Sequence, residues 1–460
     1  MSAFKDLRSW LAHLERQDRL AIMKPGRQLE FEIAGIANRH DGSKATLFPS
    51  LGNREGTVVS GLLSARSWMA EALNVSDDRL LEHFQNAAAT PLPWVEVKDP
   101  ACQQVVHEDP DLTALLPIPT HNEHDSGAYI TAGLVIARNP ETGKQNVAIH
   151  RLQVQGPQQL GALLLPRHTL AFQQLAEAEG QDLDVAIVIG SSPAALLASQ
   201  AIAPLDQDEL EIAGALTGAP LDVAKCLGSE IRVPATSEIV IEGRFLANTR
   251  EPEGPFGEFP QYYADRARRH VVAVDRVTTR DNPIYHTIVG GSREHLLLGG
   301  IPREATILAN LRRSFPGVRD VHLSQGGVCR YHLYVAMQKR FEGEGKNVIM
   351  GALAAHYDVK HVYVVDEDVD IHDPEQVEWA VATRFQADRD LVVVQGSLGS
   401  KLDPSTDDNG IGAKLGFDAT IPLSAPEMTY MRIAVPGQDD IALPDVTDET
   451  ARLADVIASD

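Results

Sequence analysis

The spacing of hydrophobic positions changes along the chain and divides it into three regions. Apolar residues recur every three to four positions over Phe4–Gln17 and Leu29–Asn38, and this pattern returns over residues 64–90. That spacing predicts amphipathic helices, and short apolar runs such as Ala45–Phe48 predict strands between them. We therefore expect residues 1–118 to form an α/β domain that ends at the proline-rich stretch LPIPTH.

Strand patterns dominate the second region, which we place at residues 119–304. The stretches YITAGLVIA and NVAIHRLQVQG flank the turn NPETGK, and few helical patterns interrupt the strands that follow. Such a region is typical of a barrel or sandwich. Helices and strands alternate again over residues 305–460, which predicts a second α/β domain and a mixed α/β fold class. Its last segment, Asp445–Ala458, has the pattern of an amphipathic helix and is a candidate for docking on a neighbouring subunit.

Composition and charge narrow the choice of partners. The 460 residues carry a formal net charge of −23, which argues against a nucleic-acid surface or an anionic membrane as partner. No run approaches the roughly 18 apolar residues of a membrane span, and the stretch MSAFKDLRSW lacks the apolar core of a signal peptide. Cys102, Cys226 and Cys329 match no zinc or disulfide pattern. We expect a cytoplasmic protein with reduced thiols.

The stretch TREPEGPFGEFPQYY, from Thr249 to Tyr263, carries the first candidate chemistry. Its carboxylates are Glu251, Glu253 and Glu258, and the glycines and prolines between them predict a shaped loop. Neighbouring phenylalanines could bury a carboxyl group there, and burial raises a carboxyl pKa toward the range useful for proton transfer. A solvated acidic turn is the alternative interpretation.

Several other polar residues could meet these acids. Strand alternation in NVAIHR places Asn146 and His150 on one face and Arg151 on the other, and an arginine among apolar strand neighbours requires an anion. A buried structural Arg–Glu pair is the alternative. His168 stands at a predicted helix start and Glu209 on a predicted helix, where a cap and a solvated charge are the ordinary interpretations. The acids that follow Val365 resemble a metal site but are more typical of solvated or helix-capping groups. Nucleotide-binding glycine motifs, GxSxG and HExxH are missing from the sequence.

Seven motifs occur in one order over roughly residues 90–420: NVAIHR, DELEIAGAL, VPATSEIVIEG, EPEGPFGE, VYVVDEDVD, LDPS and KLGFDAT. In this combination the chain resembles the UbiD family of decarboxylases, which depend on prenylated FMN. The resemblance implies a central flavin-reductase-like split β-barrel that binds this cofactor. It also implies a flavin prenyltransferase that supplies the cofactor, and a homodimer or a homo-oligomer built from dimers.

The resemblance also assigns roles to residues. The family's catalytic Arg–Glu–Glu triad falls on Arg151, Glu253 and Glu258, with Arg151 holding the substrate carboxylate and Glu258 donating a proton. A divalent metal, Mn²⁺ or Mg²⁺, holds the flavin phosphate with K⁺ nearby, and its protein ligands fall on Asn146, His168 and Glu209. Lys360 is the candidate for a further cofactor contact, with Lys414 as its rival. His150 departs from the family, because many relatives have an aromatic residue before the arginine.

The stretch IVGGSREHLLLGGIPREA, read as a loop, narrows the substrate. It holds Arg293, His295 and Arg303, a concentration of positive groups in an acidic chain. It resembles the family branch acting on furan-2,5-dicarboxylate, in which a histidine and an arginine at this spacing bind the second carboxylate. Reversible decarboxylation of furan-2,5-dicarboxylate to 2-furoate is therefore the leading hypothesis. The alternatives are a phenolic, pyrrole- or indole-type monoacid, a non-catalytic flavin-binding assembly subunit, and an arginine that merely pairs with Glu294 or Glu304.

Overall fold

The computed structural model describes residues 4–52 and 55–452. The helix Arg293–Ser314 crosses the boundary predicted after residue 304, and the helices and strands are numbered in chain order. The first region forms α1 (Leu7–Arg16), β1 (Leu20–Ile22), α2 (Glu32–His40), β2 (Ala45–Phe48), β3 (Thr57–Ser60), α3 (Arg66–Ala72), α4 (Leu80–Ala89), β4 (Val95–Glu96), β5 (Val105–Glu108) and α5 (Leu112–Leu115).

The middle region forms β6 (Tyr129–Ile130), β7 (Leu134–Arg138), β8 (Gln145–Ile149), β9 (Leu152–Gly156), β10 (Gln159–Ala162), α6 (His168–Ala178), β11 (Leu183–Ile189), α7 (Pro193–Ala198), α8 (Glu209–Thr217), β12 (Asp222–Lys225), β13 (Arg232–Pro234), β14 (Ile239–Glu253), β15 (Phe256–Gly257), β16 (Tyr263–Ala264), β17 (Ala267–Thr279) and β18 (Ile284–His286). The last region forms α9 (Arg293–Ser314), β19 (Val318–Leu323), β20 (His332–Met337), α10 (Glu344–Ala355), β21 (His361–Asp366), α11 (Pro374–Arg384), α12 (Ala387–Asp390), β22 (Leu391–Leu398), β23 (Ile411–Ala419) and α13 (Leu443–Val446).

A nine-stranded antiparallel sheet occupies the middle region. Its strand order is β6-β9-β10-β17-β14-β11-β7-β8, and β5 also pairs with β17. Nearly every residue of β11 is buried, as expected for a central strand of β-branched residues. Helix α6 contributes Phe172 to the same buried cluster as Ile187 and Phe245 of the sheet. The strand-rich prediction for this region is confirmed.

Two smaller sheets belong to the flanking regions. The N-terminal sheet has the order β1-β2-β3-β18, so β18 returns from the middle region to pair in parallel with β3. The C-terminal sheet has the order β19-β20-β21-β23-β22, with β20, β21 and β23 parallel. Both flanking regions therefore have the predicted α/β character. Helix α9 begins shortly after β18 and leads into the C-terminal sheet.

Three local predictions are wrong. The stretch read as a loop from Ile288 is helical from Arg293, because Leu296–Ile301 are buried and this packing outweighs the helix-breaking tendency of two glycines and Pro302. Strand β14 extends through Glu253, since Glu251–Glu253 pair with β17 and leave only the residues after Glu253 as a loop. In NVAIHR the strand ends at Ile149, and His150 and Arg151 lie between β8 and β9.

The described residues up to Thr420 form one compact unit, and those from Ile421 to Arg452 belong to another. In the second unit the side chains of Ile433 and Leu443 are exposed. The helix predicted over Asp445–Ala458 ends at Val446 within the part that the structure describes, and residues 453–460 lie outside the described residues. No helix among the described residues is long and apolar enough to cross a membrane.

Candidate active site

The structure brings Arg151, Glu253 and Glu258 together. Arg151 Nη2 donates a hydrogen bond of 2.8 Å to Glu253 Oε2, and its Nη1 donates to Glu258 Oε1. Glu253 lies at the end of β14, Glu258 follows the short strand β15, and all three side chains are buried. The solvated-turn interpretation of Glu253 and Glu258 is therefore wrong. Arg151 Nε is buried without a hydrogen-bond partner among the described residues, so this donor is free for a substrate.

Burial sets the protonation of this site. Desolvation raises the pKa of Glu258 above its ordinary value, although Arg151 opposes the shift. Two buried carboxylates share one guanidinium here, so a proton on Glu258 relieves the excess negative charge. Tyr129 Oη donates to Glu253 Oε1 at 3.1 Å, so this carboxylate is held from two sides, by Tyr129 and by Arg151. The Phe256 ring lies 5.3 Å from the Arg151 guanidinium and 4.4 Å from the Tyr129 ring. Glu258 is thus suited to donate a proton and Glu253 to orient the arginine.

Asn146 and His168 are in contact, and Glu209 bonds to the backbone of the residue after Asn146; these three residues are the second group. Asn146 Oδ1 lies 3.0 Å from His168 Nδ1, and Glu209 Oε2 accepts a 2.6 Å hydrogen bond from the amide of Val147. Asn146 and His150 both contact Thr169 Oγ1, at 3.1 and 3.2 Å, so the predicted shared face is present. Burial lowers the pKa of His150 to about 4, which keeps its ring neutral.

The second group fits a divalent cation. Burial raises the pKa of Glu209 to about 8, and the charged group acting beside it is another acid, Asp208. A buried carboxylate in such surroundings is stabilised by a cation. Adjacent ligands of an octahedral ion with bonds of about 2.1 Å lie about 3 Å apart, which matches the spacing of Asn146 and His168. Within the described residues no set of three or more His, Cys, Asp or Glu side chains could hold a metal, so the candidate site depends on the amide.

His295 and Arg303, both on α9, belong to a third group. Arg330, from outside this helix, is its third member. His295 Nδ1 accepts a hydrogen bond from the Gly291 amide at 3.2 Å, which leaves the proton of a neutral ring on Nε2 as a donor. Arg303 donates to the Gly299 carbonyl, and the carboxylate of Asp358 is 3.8 Å from its Nε. The interpretation of Arg303 as a surface partner of Glu294 or Glu304 is wrong, because its side chain is only 16% exposed and the carboxylate near it is that of Asp358.

Arg330 is the functional candidate that the sequence did not reveal. Its Nη1 donates to the carbonyls of Leu296 and Cys329 at 2.9 and 2.8 Å, so carbonyls rather than carboxylates hold it. Burial, with the positive charge of Arg330, lowers the pKa of Arg303 to about 9, and burial also lowers the pKa of Arg330. Two adjacent buried guanidiniums favour the binding of an anion. The same burial lowers the pKa of His295 to about 3, so His295 is a neutral donor.

Phe259 joins the first and third groups into one site. It directly follows Glu258, and its ring lies 5.2 Å from the Arg330 guanidinium and 6.3 Å from the His295 ring. His295 and Arg330 therefore lie close to the residue that follows Glu258 in the chain. The apolar ring between the groups suits a planar organic body.

The two candidate cofactor lysines line one small cavity of about 20 Å³, together with Tyr331 and Tyr357. Lys360 Nζ donates to Asp403 at 2.7 Å and to Ser405 at 2.6 Å. Lys414 Nζ donates to the carbonyls of Tyr357 and Leu353, at 3.0 and 3.3 Å. Asp403 neutralises Lys360, whereas the contacts of Lys414 are uncharged, and burial lowers the pKa of Lys414.

Two acidic groups hold the structure around the site. Glu304, next to Arg303 in α9, accepts from Arg66 of the N-terminal region and from the Leu323 amide at 2.8 Å, and it contacts His322 at 3.0 Å. Despite burial, Arg66 and His322 lower its pKa to about 2. The acids after Val365 are not a metal site in this structure, because Asp366 and Asp368 pair with Arg384.

Comparison with known proteins is consistent with this geometry. Three family models of 3-octaprenyl-4-hydroxybenzoate carboxy-lyase match successive parts of the chain: the N-terminal domain over residues 11–88, the Rift-related domain over residues 94–293 and the C-terminal domain over residues 296–419. Anhydromevalonate phosphate decarboxylase of Methanothermobacter thermautotrophicus is 40% identical over 397 residues, which cover 86% of this chain and 93% of that protein.

Solved structures agree over almost the full length. The UbiD-class enzyme HmfF of Pelotomaculum thermopropionicum in complex with FMN is 48% identical with a TM-score of 0.94, covering 96% of this chain and 100% of that one. An evolved dimeric form of HmfF in complex with prenylated FMN is 45% identical with a TM-score of 0.91 at the same coverage. The 3,4-dihydroxybenzoic acid decarboxylase of Enterobacter cloacae is 30% identical with a TM-score of 0.89, covering 97% of this chain and 100% of that one. The chain therefore belongs to the UbiD family and is a carboxy-lyase.

Proposed function

We propose that this carboxy-lyase uses prenylated FMN to interconvert furan-2,5-dicarboxylate with 2-furoate and CO₂. The observation that carries this proposal is the pair of buried guanidiniums, Arg303 and Arg330, on the far side of Phe259 from the catalytic acids. One carboxylate of the substrate would lie at Arg151 and leave as CO₂. The other would accept from the two arginines and from His295 Nε2, which fixes the ring between them.

The chain's own residues then carry orientation and proton transfer. When bound, the prenylated flavin supplies the electron sink for the carbon that loses CO₂. Arg151 holds the departing carboxylate with its free Nε, and Glu253 keeps the guanidinium in place. Glu258 delivers a proton to the substrate carbon, and the apolar rings of Phe256 and Phe259 exclude water while it does so.

Asn146, His168 and Glu209 would hold Mn²⁺ or Mg²⁺ at the phosphate end of the flavin, with K⁺ nearby. The raised pKa of Glu209 supports a cation there. Lys360 or Lys414 would contact the cofactor as well. A flavin prenyltransferase would supply the cofactor, and a homodimer or dimer-based homo-oligomer would be the working assembly. The three buried free cysteines are consistent with a reducing cytoplasm as its location.

A second candidate substrate is a phosphorylated unsaturated acid. The curated relatives of this chain include anhydromevalonate phosphate decarboxylases, and a paired guanidinium site also suits a phosphate monoester. A phenolic, pyrrole or indole monoacid is the remaining alternative within the family, but it would leave Asp358 as the one carboxylate against the two positive charges of Arg303 and Arg330.

The deciding experiment is CO₂ release by enzyme co-expressed with a flavin prenyltransferase. The panel holds furan-2,5-dicarboxylate, 2-furoate, pyrrole-2-carboxylate, a dihydroxybenzoate and anhydromevalonate phosphate, assayed with the wild-type enzyme and Arg303→Ala. We expect turnover of the dicarboxylate, and a KM at least tenfold higher in the variant. Turnover of anhydromevalonate phosphate alone would replace the dicarboxylate by a phosphorylated acid. Turnover of a monoacid that is insensitive to Arg303→Ala would refute a second anion site.

A further inference from the structure

Gly299 lies inside α9 at the place where the two guanidiniums of the third group meet. A glycine in the middle of a helix destabilises the helix by about 1 kcal/mol relative to alanine. The helix nevertheless has Gly299 and Gly300 in its buried interior. A Cβ at position 299 would overlap the Arg330 guanidinium and would stand 2.9 Å from Arg303 Nη1. The two arginines thus occupy the space that a side chain at position 299 would fill.

The segment that carries Arg330 also shows that its position is specified. Val328 and Cys329, which precede it, have φ values of 51° and 50°. Such backbone angles are strained for a β-branched residue, by about 1–3 kcal/mol, and persist only where the surrounding structure imposes them. A Cβ at Gly300 would stand 3.0 Å from Cys329 Cβ. The lack of a side chain at Gly300 therefore leaves room for the strained backbone of Val328 and Cys329. Both glycines therefore allow Arg330 to approach α9 closely.

We propose that Gly299 is a specificity-determining position. By lacking a side chain it lets Arg330 lie beside Arg303, and the resulting pair binds the carboxylate that the substrate retains. The inference rests on the proposed function, because it assumes a second carboxylate. Gly299 itself touches no substrate and acts through Arg330, so it is a positioning residue.

The proposal predicts opposite effects on binding and on stability. In Gly299→Ala the new methyl group displaces the end of a flexible side chain while the helix gains propensity. We expect a melting temperature within about 5 °C of the wild type, a KM for furan-2,5-dicarboxylate at least tenfold higher, and a kcat changed less than threefold. A structural role alone would lower stability without separating KM from kcat. Gly35→Ala is the matched control, because Gly35 lies in α2 and a Cβ there would meet no atom within 4 Å.

A double-mutant cycle tests whether Gly299 acts through Arg330. Gly299→Ala should have less than a threefold effect on KM when Arg330 is already alanine. A KM for Gly299→Ala within twofold of the wild type, or a full tenfold effect in the Arg330→Ala background, would overturn the inference and leave the proposed function intact. If the wild-type enzyme itself does not act on the dicarboxylate, the proposed function fails, and this inference fails with it.

If Gly299→Ala melts more than about 5 °C below the wild type, Arg330→Lys is the variant that tests the proposed role of the arginine pair. The ammonium group of lysine cannot reproduce the planar, bidentate contact that a guanidinium makes with a carboxylate. We therefore expect at least a tenfold rise in KM at an unchanged melting temperature. A wild-type KM in Arg330→Lys would overturn the proposal.

Discussion

Replacing Glu258 by glutamine removes the proposed proton donor and little else. The amide keeps the shape of the carboxyl group, and its oxygen still accepts from Arg151 Nη1. The 2.8 Å bond from Arg151 to Glu253 is untouched, so the arginine stays in place. A general acid contributes about 10²–10⁴-fold to a rate, which corresponds to about 3–5 kcal/mol of barrier. We therefore expect kcat to be about 10²–10⁴-fold lower in the variant than in the wild type.

The pH dependence gives the same prediction an independent check. Burial raises the pKa of Glu258, so its acid form persists to higher pH than that of an ordinary glutamic acid. Activity should therefore be present below this raised pKa and should fall as pH rises through it. That descending limb should be missing from Glu258→Gln.

The assay is CO₂ release at matched cofactor content, judged from the flavin absorbance of each preparation. Glu251→Gln is the control, because Glu251 lies two residues before Glu253 and is exposed. It should behave like the wild type. A kcat of Glu258→Gln within threefold of the wild-type value, or a descending limb that survives the substitution, would refute the assignment of Glu258 as proton donor.

Three further variants test the groups around the triad. Glu304→Gln should lower the free energy of unfolding by roughly 1–3 kcal/mol in denaturant titrations, because Arg66 loses its charge-assisted bond to Glu304 and keeps only its pairing with Asp77. The pKa of Glu304 is about 2 in the folded protein, against an ordinary value of 4.5. Its contribution to the free energy of unfolding is therefore present above about pH 4.5 and is lost as the pH falls toward 2. At that pH the wild type and Glu304→Gln should be equally stable. Glu209→Gln should reduce bound Mn²⁺ at least tenfold by elemental analysis, while Glu211→Gln on the same helix retains it; equal metal content would remove Glu209 from the site. Lys414→Met should lose more flavin on gel filtration than Lys360→Met, because Asp403 already neutralises Lys360; the reverse order would favour Lys360 as the cofactor contact.

Periodicity alone could predict the fold class, because it reports which residues face a core. The nine strands of the central sheet pair largely with partners distant in the chain, yet the longer ones, such as β11 and β17, carry a β-branched pattern that is visible locally. Prediction from the local sequence pattern was wrong for α9. Two glycines and a proline contradict a helix there, and only the burial of Leu296–Ile301 against other elements makes it one.

The sequence alone identified which residues could form the triad and the candidate metal group. NVAIHR and EPEGPFGE contain Asn146 and the triad, DELEIAGAL contains Glu209, and the resemblance to the family adds His168. Tertiary structure decided whether they meet: Arg151 lies 102 positions from Glu253 in sequence, and only the pairing of the central strands places their side chains 2.8 Å apart. It also decided which charges are buried, and hence that the pKa of Glu258 is raised and that Arg303 lies close to Arg330. No sequence pattern marks Arg330, because its role comes from a close approach to Gly299 across the fold.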